Sequence, residues 1–174
     1  MRRIIVIGTI HGGFTSHKEL KMTLEKINPD KLLIEIAKDN IKNNKLKYYP
    51  PEMLFAYKWA KANNIRVSGF DPQINELKKH VTKKDKNKLM REQIKLLGNK
   101  SWKVMNREKN SKIFNTSYYY SLIDRKKEYK RNKMMLQNIK RLLLKKGTTL
   151  VLTGSGHLNF FEKHLRNAEF PFRK

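Results

Sequence analysis

Cysteine is absent from the 174 residues, which excludes disulfides and thiolate metal sites. A metal in this chain would have to be held by His, Asp, Glu or backbone oxygen. Acids are scarce: 15 Asp and Glu stand against 40 Lys and Arg, for a net charge of +25. The sequence therefore lacks the dense carboxylate cluster of a two-metal nuclease, while its excess positive charge attracts polyanions. Long apolar runs are missing as well. None approaches the ~20 residues of a membrane span, and the apolar part of the amino-terminal stretch is too short for the core of a signal peptide. The expectation is a soluble, cytoplasmic protein. Only 39% of residues are hydrophobic and the mean hydropathy is −0.74, but the apolar residues are gathered into runs, which argues against disorder.

The first of these runs is Ile4, Ile5, Val6 and Ile7, followed by Gly8, Thr9, Ile10, His11, Gly12 and Gly13. Four β-branched residues without polar alternation read as a strand buried on both faces, as in a parallel sheet. The glycines end the strand and display His11 just beyond its carboxyl end, the edge where open α/β sheets bind ligands. The same device recurs near the other terminus. Thr149 to Thr153 is a second buried run, and Gly154-Ser155-Gly156-His157 follows it directly. The chain thus presents G-x-x-H twice, each time after a strand.

Between the two lie further elements. Thr15 or Ser16 can cap a helix, with Glu19 at capping-box spacing from Ser16, and Asn28-Pro29-Asp30 ends it. Lys31 to Ile36 reads as a second strand containing one charge, Glu35. A carboxylate in a strand buried on both faces is costly unless it is paired, hydrogen-bonded or bound to metal, so Glu35 is a candidate functional residue. Asp39 to Pro51 reads as a loop. Glu52 opens a helix that ends at Asn63-Asn64, and Ile65 to Phe70 forms a third strand. Asp71 follows it, either as a functional acid or as a turn opener and helix cap. From Ile74 to about Asn115 the pattern is helical and lysine-rich. Tyr118, Tyr119 and Tyr120 among basic residues resemble a stacking platform for single-stranded nucleic acid, or the core and rim of a helix. Glu128 to Lys146 is helical, with Gly147 as its C-cap, and Leu158 to Leu165 forms a final helix. His17, His80 and His164 lack a comparable context and read as packing or surface residues.

This alternation predicts one α/β domain over residues 1–174. It would have a mostly parallel central sheet of about four strands flanked by helices, and a basic helical insertion around residues 74–146 before the last strand. His11, Glu35, Asp71 and His157 would then share one edge of one sheet. In such a set His11 and His157 would supply nitrogen ligands to a divalent metal (Mn, Co or Zn) and Glu35 or Asp71 an oxygen ligand, leaving an open position for water, with the carboxylate not used as ligand acting as general base.

The pieces Gly8-Thr9-Ile10-His11, Ile34-Glu35, Glu52-Met53 with Ala56, Asp71, Arg131-Asn132 and Gly154-Ser155-Gly156-His157-Leu158 span nearly the whole chain. In order and spacing they resemble the TraB/TIKI/GumN family, related to erythromycin esterase-like and ChaN-like proteins. In the TIKI branch two G-x-x-H motifs and a glutamate form the centre of a metal-dependent protease. The resemblance implies that role for His11, His157 and Glu35, with Glu52 as a second functional glutamate and Arg131 as a group for an oxyanion or a substrate carboxylate. Where many relatives carry an acid and an arginine close after the glutamate, this chain reads Ile36-Ala37-Lys38-Asp39. The expected function is a metal-dependent hydrolase, a TIKI-like peptidase acting on a peptide or small molecule. The alternative is a non-catalytic protein that binds a haem-like ligand at the sheet edge or nucleic acid on its basic helices.

Overall fold

The computed structural model describes residues 1–72, 82–98, 100–111 and 124–173. Strands β1 (Arg2–Thr9), β2 (Lys31–Ala37), β3 (Arg66–Asp71), β4 (Gly147–Gly154) and β5 (Ala168–Glu169) form one parallel sheet in the order β3-β2-β4-β1-β5. The expected run of four strands is present. The fifth, β5, escapes sequence reading because two residues carry no periodicity; it pairs only with Ile4 and Ile5.

The helices, in chain order, are α1 (His17–Ile27), α2 (Lys38–Lys42), α3 (Pro51–Ala62), α4 (Lys83–Leu97), α5 (Glu108–Ser111), α6 (Arg125–Leu142) and α7 (Leu158–His164). Side-chain alternation along each strand divides them between two faces. Ile5, Ile7, Leu32, Ile34, Ile36, Leu150 and Leu152 pack with Leu20, Leu24, Met53 and Trp102 on one side. Ile4, Val6, Leu33 and Val151 pack with Met135, Leu136, Ile139 and Phe161 on the other. Glu35 falls between Ile34 and Ile36 and therefore shares the face of Leu33, beneath α6.

Local chemistry explains most boundaries. Ser16 caps α1, accepting from the Glu19 backbone N–H at 3.3 Å, while the Glu19 carboxylate accepts from Ser101 Oγ at 2.6 Å. Thr15 is buried; its hydroxyl accepts from the Ile10 N–H and donates to the Ile10 carbonyl, both at 2.9 Å. That pins the turn that presents His11. Asn28 ends α1 in the left-handed conformation at φ 45°.

Two expectations need correcting. The stretch read as a loop from Asp39 contains α2 and a turn held by Tyr49, whose hydroxyl accepts from the Ala37 N–H at 3.0 Å. Gly147 is not a helix cap: α6 stops at Leu142 with Leu143 as its cap, and Gly147 opens β4. The basic segment after β3 is helical where it is described. Past α4, a 3-10 turn over Trp102–Asn106 buries Trp102 and Met105 against the sheet. Leu77, His80, Val81 and the three tyrosines 118–120 lie outside the described residues. No helix among the described residues is long and apolar enough to cross a membrane.

Asn106 attaches this inserted segment to the end of β1. Its buried side chain accepts from the Gly8 N–H at 2.7 Å and donates to the Gly8 carbonyl at 2.8 Å. One side chain thus continues the pairing that short β5 leaves unfinished. Asn106→Ala would strand two buried backbone groups, each worth about 1–3 kcal/mol when left unsatisfied. A fall in the chemical-denaturation midpoint of matching size is expected, with the slope unchanged.

Candidate functional site

Because every strand runs the same way, the residues at the ends of β1, β2, β3 and β4 meet. Glycine permits the closest approaches. A Cβ on Gly8 would lie 2.8 Å from both the Ser155 Cα and Leu158 Cδ1, so the two G-x-x-H turns can touch only without one. A Cβ on Gly154 would lie 3.0 Å from His11 Nε2 and 3.6 Å from Glu35 Oε2, which places both groups over the end of β4.

Glu35 is the buried hub. Its Oε2 accepts from Thr153 Oγ1 and from the Gly154 N–H, both at 2.7 Å. Its Oε1 accepts from Arg131 Nη2 at 2.9 Å and lies 3.2 Å from His157 Nε2. Burial pushes the carboxyl up, but the charges and hydrogen bonding of His157, Arg131 and His11 outweigh this and hold it well below the usual carboxylate range. Arg131, on α6, also takes Asp71 in a two-point grip, Nε to Oδ1 at 3.1 Å and Nη2 to Oδ2 at 2.8 Å. Burial disfavours its charge, yet Asp71 and Glu35 raise its pKa further above the ordinary guanidinium value.

His157 sits 9% exposed and is oriented by Asn132, the residue after Arg131. Its Nδ1 lies 2.7 Å from Asn132 Oδ1. A carbonyl oxygen only accepts, so the ring proton is on Nδ1. Nε2 then accepts from Arg131 Nη1 at 3.4 Å when the ring is neutral, and donates to Glu35 when it is charged.

His11 stands slightly apart, and its partner is different. Its Nδ1 is 2.5 Å from Glu52 Oε1; the His11 side chain is 47% exposed and that of Glu52 only 1%. The helix start at Pro51 places Glu52 in the first turn of α3, facing inward next to Met53. The other carboxylate oxygen, Oε2, is buried without a hydrogen-bond partner among the described residues, so among them the bonding of this acid is directed at His11. Partial burial opposes charge on the imidazole. The hydrogen bond to Glu52 and the fields of Glu35 and Glu52 overcome that and the repulsion of Arg131, so His11 titrates above the ordinary imidazole value.

His11, Glu35, Asp71 and His157 are thus brought to one edge, as the strand pattern implies, and Glu52 and Arg131 join them. A metal cage, however, is not what they form. Both Asp71 oxygens accept from Arg131, all the Glu35 contacts described above engage its two oxygens, and a guanidinium, itself a cation, sits at the centre. Among the described residues no group of three His, Asp or Glu side chains is placed to hold one ion. The arrangement does not fit the metal that the sequence suggested, and Arg131 is a structural clamp before it is a substrate receptor.

This has a direct consequence. Mn²⁺, Co²⁺ or Zn²⁺ is expected to leave the melting temperature within about 1 °C, whereas a native-state ligand at 100 times its Kd stabilises by about 2.7 kcal/mol, roughly 5–11 °C here. A rise of that size, lost in His11→Ala/His157→Ala, would mean that Arg131 gives way to a metal.

Sequence reading missed several participants. Thr153 and Asn106 are polar residues in or beside apolar stretches, with no spacing to announce them. Glu128, one turn before Arg131, is half-buried; burial raises its pKa, partly countered by His157 and Arg131. The remaining histidines behave as expected where described: His17 stacks on Phe55 at 4.7 Å and His164 lies 4.5 Å from Phe160. The chain matches no family model, no curated protein and no solved structure.

Proposed function

We propose that the chain is a hydrolase of carbonyl substrates, an ester or a peptide bond, in which His11 is the general base. The observation that carries this reading is the contact between His11 Nδ1 and the buried Glu52 carboxylate at 2.5 Å. It fixes the proton on Nδ1 and leaves the Nε2 lone pair at the open edge of the sheet. An oriented imidazole with its second nitrogen free for a proton is the base-and-orienter pairing that acyl transfer requires.

In this scheme water transfers a proton to His11 Nε2 as its oxygen attacks the carbonyl carbon. The tetrahedral intermediate collapses by breaking the C–O or C–N bond, and the same proton passes from His11 to the leaving group. Arg131, whose charge is felt at His11, offers Nη1 to the developing oxyanion. Glu35 and Asp71 hold that guanidinium in place. The resemblance to the TIKI branch favours a peptide substrate. Hydrolysis of a panel of p-nitrophenyl esters and aminoacyl-coumarin amides in EDTA tests the reading. Activity on at least one substrate, lost in His11→Ala, supports it; equal rates for the two proteins contradict it.

A second reading, a polyanion partner, is favoured by the outward face of α6, where Arg125, Lys126, Lys127, Lys130 and Lys133 are all exposed. Binding of a fluorescent single-stranded oligonucleotide there would weaken steeply with added salt, following counterion release. Affinity insensitive to salt would remove it.

A further inference from the structure

Toward the opposite end of the strands the protein has a cleft of about 620 Å³. Arg3 and Ile5 of β1, Met22, Lys26 and Ile27 in the second half of α1, and Phe172 after β5 all border it. These positions set it apart from the site where β1 and β4 end. Its volume lies within the roughly 300–1,000 Å³ typical of small-ligand pockets.

The lining combines two chemistries. Ile5 is buried at the base, Ile27 and Phe172 form apolar walls, and Met22 stands at the rim 60% exposed. The cations differ in their partners. Arg3 is held by Glu169 through hydrogen bonds of 2.8 and 2.7 Å. Lys26 and Lys103 have no carboxylate in ion-pair range among the described residues. Lys103 is fixed by aromatic faces, its Nζ 5.0 Å over Phe172 and 5.9 Å over Trp102. An apolar trough with two ammonium groups at its edge is complementary to one kind of small molecule, an apolar tail with an anionic head.

We propose that this cleft binds an acyl-chain carboxylate, its tail against Ile5, Ile27, Met22 and Phe172 and its head between Lys26 and Lys103. The site is independent of the hydrolytic reading, since none of its residues takes part in that chemistry.

Titration of the full chain with laurate below its micelle concentration tests this, followed by calorimetry and by tryptophan fluorescence. Trp102 packs edge-on against Phe172 with centroids 6.0 Å apart, so a tail on Phe172 perturbs it. Saturable one-to-one binding is expected, with affinity reduced about tenfold or more in Lys26→Glu/Lys103→Glu, as attraction turns to repulsion at two partly exposed sites. His11→Ala should bind as the wild type does. Dodecyltrimethylammonium, with a tail but the wrong charge, and acetate, with the charge but no tail, should not compete. If the double variant loses its circular-dichroism spectrum, Lys26→Ala and Lys103→Ala are each expected to weaken binding two- to threefold. Absence of saturation, affinity indifferent to these lysines, or competition by either control would overturn the proposal.

Discussion

Arg131→Met is expected to destabilise the protein by about 3–5 kcal/mol, the cost of removing one partner from a buried charge cluster. For a chain of this length that corresponds to a melting temperature lower by about 6–20 °C. The reason is geometric. Arg131, Glu35 and Asp71 expose only 16%, 6% and 12% of their side chains, so neither carboxylate can be resolvated when the guanidinium is removed. Arg131→Lys should be intermediate, because a single ammonium cannot reproduce a planar fork that grips Asp71 at two points and Glu35 at a third. The deficit also has a pH signature. Glu35 titrates below its unfolded value of ~4.3, so its contribution is fully present above that pH and is lost as pH falls through the lower folded value. The gap between wild type and Arg131→Met should therefore narrow in acid. A gap that widened in acid would show that Glu35 is not held as a carboxylate.

His11→Ala is expected to lower hydrolysis by about 10²–10⁴-fold, the usual worth of a general base, and also to cost about 1–3 kcal/mol of stability, because the buried Glu52 carboxylate loses the partner at which its bonding is directed. Glu52→Gln should act differently. It keeps a side chain of similar shape but removes the negative charge that raises the His11 pKa. Since the base must be neutral, the rate rises with pH through that pKa. In the wild type the rising limb should lie above the ordinary imidazole value of ~6.5, and in Glu52→Gln it should move to lower pH while the plateau falls. A limb unmoved by the substitution would separate Glu52 from the proton transfer.

The placement of these residues was legible where it depends on strands. Two buried runs ending in glycine identify β1 and β4, and their parallel pairing in register from Arg2 with Gly147 to Thr9 with Gly154 brings the two G-x-x-H turns together. Glu35 stood out as a charge in a strand buried on both faces. What the sequence did not disclose is how these side chains are partnered. The choice between a metal cage and an ion-pair cluster depends on where Arg131 points, and that follows from the packing of Met135, Leu136 and Ile139 of α6 against the sheet. Nor does any pattern connect Asn106 to Gly8, a hydrogen-bonded pair 98 residues apart. Glu52 was legible as the first acid of a helix, a position usually explained by the helix dipole; only the fold turns it inward onto His11.

The most direct test of the account is a long-range ¹H–¹⁵N NMR titration of the His11 ring in the wild type and in Glu52→Gln. The structure predicts a proton resident on Nδ1, a titration midpoint above ~6.5 and a fall in that midpoint when Glu52 loses its charge. A proton on Nε2 in the neutral ring, or a midpoint at the ordinary value in both proteins, would contradict it.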